Sequence, residues 1–210
     1  MDRDKEAEAL AAMRLTSKSC QACPLWKNAT QTVFGEGPSD AKLMLVGEQP
    51  GDKEDLAGKP FVGPAGRLLR KLLQEAEIDD DLVYLTNAVK HFKWEPKGAR
   101  RIHKRPNLRE VAACYPWLQR EIQILQPQLV VCLGATASQA LLGKSFRVTQ
   151  SRGQFISMDA GFSVMATIHP SALLRMRPEI KAQEIHRFVD DLRKAASFIK
   201  GLPSSRTKLI

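Results

Sequence analysis

The chain lacks any apolar run near the ~18 residues that a membrane helix needs, which excludes a spanning helix as a reading of its 210 residues. Its opening residues, MDRDKEAEAL, are charged and mixed in sign. They contain neither the apolar core nor the small-residue cleavage site of a secretion signal, so a soluble, cytoplasmic protein with no membrane partner is expected. No internal repeat and no composition break divide the sequence. At roughly 150 residues per domain, one domain over residues 1–200 with a loose tail at 201–210 is expected. Acids are the scarcer charge: 23 Asp+Glu stand against 32 Lys+Arg, a net charge of +9. Such a balance suits a polyanionic partner. Cysteines are few: Cys20, Cys23, Cys114 and Cys132. A reducing compartment argues against two disulfides. The two-residue gap of Cys20-Gln-Ala-Cys23 is that of a metal or cluster half-site, although a redox pair or unrelated thiols have the same spacing.

What is present alternates. Apolar runs at Lys42–Val46, Leu82–Thr86, Leu129–Leu133 and Phe162–Ile168 predict buried strands, with a short extra strand at Phe155–Ser157. Helical patterns cover 4–18, Ala65–Ala76, Leu108–Leu125, a segment from Gly134 through Leu142, and Pro178–Ile199. Gly47 to Pro64 reads as loop. Strands alternating with helices predict an α/β fold with a parallel sheet covered on both faces. Ligands of such sheets bind at the carboxyl ends of the strands. Those ends carry Glu48-Gln49-Pro50-Gly51-Asp52, Asn87, Gly134 and His169-Pro170-Ser171.

These residues have two readings each. Glu48 and Asp52 are general bases or cation stabilisers, or else solvated loop acids. Phe61 is a core anchor for its Gly/Pro-rich loop, or a face for an unstacked base. Lys97 to Arg109 holds Lys97, Arg100, Arg101, Lys104, Arg105 and Arg109 without an acid; such a run is a solvated face or flexible tail, or, the better reading for an internal segment, a loop that tracks phosphates. Six contacts to single-stranded DNA would give a salt slope near −4, at ~0.7 per charge. Within that run the neighbouring cations disfavour protonation of His103, leaving a neutral imidazole able to act as nucleophile, ligand or base. His169 is a satisfied structural histidine or a donor aimed into a cleft.

Taken together, Gly47–Asp55 (GEQPGDKED), Gly58–Gly66 (GKPFVGPAG), Thr86–Phe92 (TNAVKHF), Arg100–Lys104 (RRIHK), Leu133–Ala137 (LGATA) and His169-Pro170-Ser171 resemble the family 4 uracil-DNA glycosylases, and within them the UdgX type. The resemblance runs from Cys20 to the final helix. It implies a three-layer αβα sandwich around a four-stranded parallel sheet, an iron–sulfur cluster, and a pocket for a uracil flipped out of DNA. It implies that Phe61 stacks on the uracil, Asn87 hydrogen-bonds its edge, and His169 donates to it as negative charge develops. Glu48, Gln49 and Asp52 would line the pocket near the sugar. Arg100, Arg101, Lys104, Arg105, Ser171, Leu173 and Arg175 would contact DNA, Leu173 together with Leu174 pressing into the gap the base leaves. Gln49 and His103 are the marks of the UdgX type, whose histidine attacks C1′ of the deoxyribose after the base departs and yields a covalent protein–DNA adduct. Glu48 would relay the imidazole proton.

The same resemblance implies Cys20, Cys23, His91 and Cys114 as ligands of a [4Fe-4S] cluster, with His91 standing where ordinary members have a cysteine and Cys132 as the alternative ligand. The implied partner is uracil-containing, single-stranded DNA, bound by a monomer. The competing functions are an ordinary turnover glycosylase with water activated by Glu48 or Asp52, and a non-catalytic iron–sulfur DNA-binding module.

Overall fold

Four segments of five residues are buried along their whole length: β1 (Leu43–Gly47), β2 (Val83–Asn87), β5 (Leu129–Leu133) and β7 (Ser163–Thr167). In the computed structural model, which describes residues 3–201, they form one sheet in the order β2-β1-β5-β7. All three pairings are parallel, in a register that sets Leu43 beside Val83 and Leu129. A short strand, β6 (Phe155–Ser157), adds antiparallel to the outer edge of β7. Successive side chains leave opposite faces of a strand. Leu43 and Leu45 therefore pack under α3 (Pro64–Glu75) and α8 (Pro178–Gly201), together with Leu69, Leu72, Phe188 and Leu192. Met44 and Val46 face α1 (Arg3–Ser17) and α4 (Leu108–Leu125), together with Leu10, Leu118 and Ile122. These two faces make the three-layer αβα sandwich expected.

Helix ends follow local chemistry. Asn107 caps α4 by accepting from the Glu110 N–H at 2.9 Å, while the Glu110 carboxylate accepts from the Asn107 N–H at 2.7 Å, a reciprocal capping box. Pro64 and Pro178 open their helices where a missing N–H costs nothing.

Three expectations change. The Gly47–Pro64 segment contains a helix, α2 (Asp52–Ala57), too short to show apolar periodicity. Residues 97–109 are not one loop: β3 (Trp94–Lys97) and β4 (Arg100–His103) pair antiparallel as a separate hairpin, with Trp94 opposite His103, and only 104–107 remain irregular ahead of α4. Its strands are largely exposed, so no hydrophobic alternation marks them. The residues after His169, for which the sequence pattern gives no helix, form α7 (Pro170–Arg175). Helix α5 (Ala135–Leu142) lies where expected, and α6 (Val148–Ser151) is a further single turn. Gly201 closes α8 instead of opening a tail; residues 202–210, where the loose tail was expected, lie outside the described residues. Among the described residues no helix is long and apolar enough to cross a membrane.

Candidate active site

Parallel strands bring all their carboxyl ends to one edge. There a cleft of about 700 Å³ is lined by Glu48, Gln49, Asp52, Phe61, Asn87, His103, His169, Ser171 and Arg175, with Thr136 and Leu174. Gly47 makes the floor possible: a Cβ there would overlap the Asn87 side-chain oxygen and the Phe61 ring. Phe61 is buried and holds φ at 54°, an unusual backbone for a large residue. Glu54 keeps its loop in place, accepting from the N–H groups of Gly51 at 3.2 Å and Gly63 at 2.7 Å. Asn87, at the end of β2, is buried, and its amide has no protein partner among the described residues. It can donate to and accept from a ligand edge.

His169 stands beside Phe61, with ring centroids 6.2 Å apart and planes inclined by 25°. The Ser171 N–H donates to its Nδ1 at 3.1 Å, and the Ser171 hydroxyl lies 2.8 Å from the same nitrogen. An Nδ1 that accepts leaves the proton on Nε2, which is then a donor. Burial pushes the His169 pKa down to about 4, with Arg175 and His103 adding to the effect. The imidazole is therefore neutral at pH 7.

His103 ends β4 with 48 % of its side chain exposed. Its Nε2 lies 3.5 Å from Glu48 Oε1, a charge contact longer than a tight hydrogen bond. Its pKa is lowered, first by burial against the cleft wall and then by Arg175, against the pull of Glu48. The neutral imidazole is as expected, but the cause is burial and a cation from α7, not the cations of its own run. Glu48 also accepts from the Thr136 hydroxyl, which in turn accepts from Arg105 Nε at 3.1 Å. Thr136 was given no role in the sequence, although its place just after a strand-end glycine marked it.

Several residues take different positions from those expected. Gln49 does not offer a free amide to the cleft. Its Nε2 donates to the carbonyls of Lys93 at 3.1 Å and Lys104 at 3.0 Å, and its Oε1 accepts from the Lys93 N–H at 3.1 Å, so it clasps the base of the hairpin. Asp52 lines the cleft but accepts from Arg101 Nε at 2.6 Å, and the same guanidinium reaches Asp55 Oδ2 at 2.6 Å. Arg101 also lies over the rings of Phe92 and Trp94, at 5.4 and 5.6 Å. A cation held this way is not available to phosphates, which leaves five in the run. Lys104 pairs with Glu95 at 2.8 Å on the exposed hairpin face; Arg100 is exposed and has no ion-pair partner among the described residues. Leu173 is fully buried in the core beside α8 and cannot reach DNA, whereas Leu174 is 41 % exposed at the cleft.

Behind Asn87 lies a network that no sequence pattern announced. Buried Lys90 donates through Nζ to the Asn87 carbonyl at 2.8 Å, Thr86 Oγ1 at 2.6 Å and Glu121 Oε2 at 2.6 Å. Glu121 also accepts from the Tyr84 hydroxyl at 3.1 Å and the Gly35 N–H at 3.2 Å. Every polar atom that the ion pair brings into the core therefore has a partner.

The thiols divide into two groups. Cys23 and Cys114 share a small apolar cluster with Leu25 and Val89, and Cys20 interacts electrostatically with both. Trp117 Nε1 donates to Cys20 Sγ at 3.2 Å, and the Lys90 N–H donates to Cys114 Sγ at 3.1 Å. Burial raises the Cys23 pKa and pushes that of Cys114 up to about 12. Cys132 is fully buried in β5, and burial alone raises its pKa, with no charge from another cysteine. His91 is buried and its charged neighbour is Asp55. Among the described residues no group of three or more His, Cys, Asp or Glu is gathered tightly enough for a single metal ion. Three thiols with N–H donors on two of the sulfurs suit a larger, thiolate-bound group, whose ligands stand further apart than those of one ion.

Comparison with known proteins agrees with this geometry. The uracil DNA glycosylase superfamily profile matches residues 34–193. A type-4 uracil-DNA glycosylase of Thermotoga maritima is 44 % identical over 185 residues, covering 87 % of this chain and 91 % of the relative. One from Saccharolobus solfataricus is 35 % identical over 194 residues, covering 89 % and 84 %, and one from Sulfurisphaera tokodaii is 37 % identical over 164 residues, covering 74 % and 71 %. With a strand-end cleft, a match across most of the chain and relatives aligned over most of their own length, this chain belongs to the uracil-DNA glycosylase superfamily.

Proposed function

We propose that this uracil-DNA glycosylase is of the UdgX type and captures its own product. A uracil flipped from single-stranded DNA stacks on Phe61, and Asn87 reads its edge. The C1′–N1 bond breaks with its electron pair leaving on the uracil, and the His169 Nε2–H stabilises the charge that collects on a base oxygen. The sugar is left oxocarbenium-like. The unprotonated ring nitrogen of His103 then forms a bond to C1′, and proximity lets it outcompete water. The imidazole gives up its remaining proton, which Glu48 relays and the uracil anion takes up, so that no further reactant is needed. Arg100, Lys104, Arg105 and Arg175 face the DNA backbone, Ser171 orients His169, and Leu174 fills the place of the departed base.

The observation that carries this reading is the pairing of a neutral His103 with Glu48, Nε2 to Oε1 at 3.5 Å, at the mouth of the cleft. The test is a denaturing gel after incubation with a uracil-containing single-stranded oligonucleotide. A heat-stable shifted band is expected, and it should disappear in His103→Ala. Alkali-cleavable abasic DNA without a shifted band would replace capture by turnover, and a band that persists in His103→Ser would assign another nucleophile.

We further propose that Cys20, Cys23 and Cys114 hold an iron–sulfur cluster, with His91 as the fourth ligand. The Trp117 and Lys90 N–H groups stand on the Cys20 and Cys114 sulfurs, where they would hydrogen-bond ligating sulfur, and the Lys90 N–H on Cys114 brings the residue before His91 to the thiols. Such a cluster ties the Cys20–Cys23 loop to α4. Visible absorbance that survives Cys132→Ala and is bleached by Cys114→Ala is the expected result.

A further inference from the structure

A second groove, of about 610 Å³, lies beside the cleft between the first half of α4 and α5. Leu108, Val111, Tyr115 and Ala140 give it apolar walls, and Arg105 and Lys144 supply its charge; none of its lining residues is acidic. Leu108 is 57 % exposed there, an apolar side chain spent on neither core. The groove adjoins the cleft. Thr136 lines both, and Arg105 stands between them, bonded to Thr136 Oγ1 at 3.1 Å and to Gln139 Oε1 at 3.4 Å, with Glu48 3.7 Å away.

We propose that this groove receives the base of the nucleotide next to the flipped deoxyuridine in single-stranded DNA. The inference rests on the glycosylase reading above. Adjacent nucleotides share one phosphate, and a strand with one base in the cleft and the next in the groove carries that phosphate past Arg105. The walls offer apolar surface and the Tyr115 ring, while the hydrogen-bonding ends of Asn107 and Gln139 are engaged by Glu110, Phe146 and Arg105. The contact therefore takes any base by its face and reads no sequence. A duplex cannot fill the groove without extruding a second, paired nucleotide, so the site works for single strands.

The test measures uracil release from single-stranded oligonucleotides whose neighbouring nucleotide, 5′ or 3′ to the uracil, is either thymidine or a base-less tetrahydrofuran. For the unmodified protein, removing the neighbouring base on one side only should raise the half-saturating concentration about tenfold, the size of one stacking contact, at an unchanged maximal rate. Leu108→Ser should cause the same rise on the normal oligonucleotide and none on the base-less one, with Lys144→Ala as a second variant on the opposite wall. Equal losses for Leu108→Ser on both oligonucleotides, or no effect of the base-less neighbour on either side, would overturn the proposal. Absence of uracil release by the unmodified protein from every oligonucleotide would instead overturn the reading on which it rests.

Discussion

The two histidines of the cleft stand on walls that are held in different ways. His169 follows β7 and rests on a sheet buried on both faces, where burial of apolar area dominates. His103 ends an exposed hairpin that shares no strand pairing with that sheet. Polar clasps hold the hairpin in place: Gln49 across its base, Arg101 between Asp52 and Asp55, and Lys93 on Glu110 at 2.9 Å. One wall is part of the core, and the other is tied to it. Damage to the first should therefore appear as lost stability, and damage to the second as lost chemistry.

Glu121→Leu tests the core wall most severely. It strands the Lys90 ammonium in the interior, and removing one partner of a buried pair costs about 3–5 kcal/mol. The melting temperature should fall by roughly 10 °C; a shift of a degree or two would mean that the pair does not anchor β2. Next comes pH. The His169 pKa is about 4 when folded against about 6.5 when unfolded, so the unfolded chain takes up the proton first as pH falls. Stability is complete above pH 6.5 and declines between 6.5 and 4, by at most about 3 kcal/mol. Urea denaturation at pH 7 and pH 4.5 should show the decline, and His169→Gln should flatten it.

Gln49→Leu tests the tethered wall. It leaves the Lys93 N–H and the Lys93 and Lys104 carbonyls without the amide, at about 1–2 kcal/mol. The melting temperature should fall by only a few degrees. Adduct formation should slow by at least about tenfold as His103 loses its position, and the Lys93 amide should exchange faster with deuterium. A large melting shift with unchanged adduct rate would reverse the comparison. The smallest effect distinguishes the two neighbouring arginines. Arg100→Met should reduce the salt slope of single-stranded DNA binding by about 0.7, whereas Arg101→Met should leave the slope unchanged because its guanidinium is already neutralised by Asp52 and Asp55. Equal changes would put Arg101 back on the phosphates.

The core wall was legible in the sequence because burial leaves a pattern. Leu129–Leu133 and Phe155–Ser157 were read to the residue, and the strand-end positions of Asn87 and His169 followed from the alternation of strands and helices. The tethered wall was not legible. Pro96, Lys97, Arg100 and Arg101 alternate in no apolar sense, and the partners that order them, Gln49, Asp52 and Asp55, lie about fifty residues earlier. Glu121 was invisible for a similar reason, being one acid on an amphipathic helix with its counter-ion far away in the chain. Leu173 and Leu174 were assigned the same work because adjacency in sequence does not say which side of a helix faces the core. The difference between them, Leu173 fully buried and Leu174 41 % exposed, is set by α7, which itself went unread.

One carboxylate makes a final point. Glu54 holds the amides of both Gly51 and Gly63, so the segment between the first strand and α3 is fastened at its two ends by a single side chain. The Phe61 face and the start of α2 cannot drift apart without releasing one of these bonds. The aromatic platform and the start of α2 therefore share one fastening, separate from the clasps of Gln49, Arg101 and Lys93 that fix the hairpin.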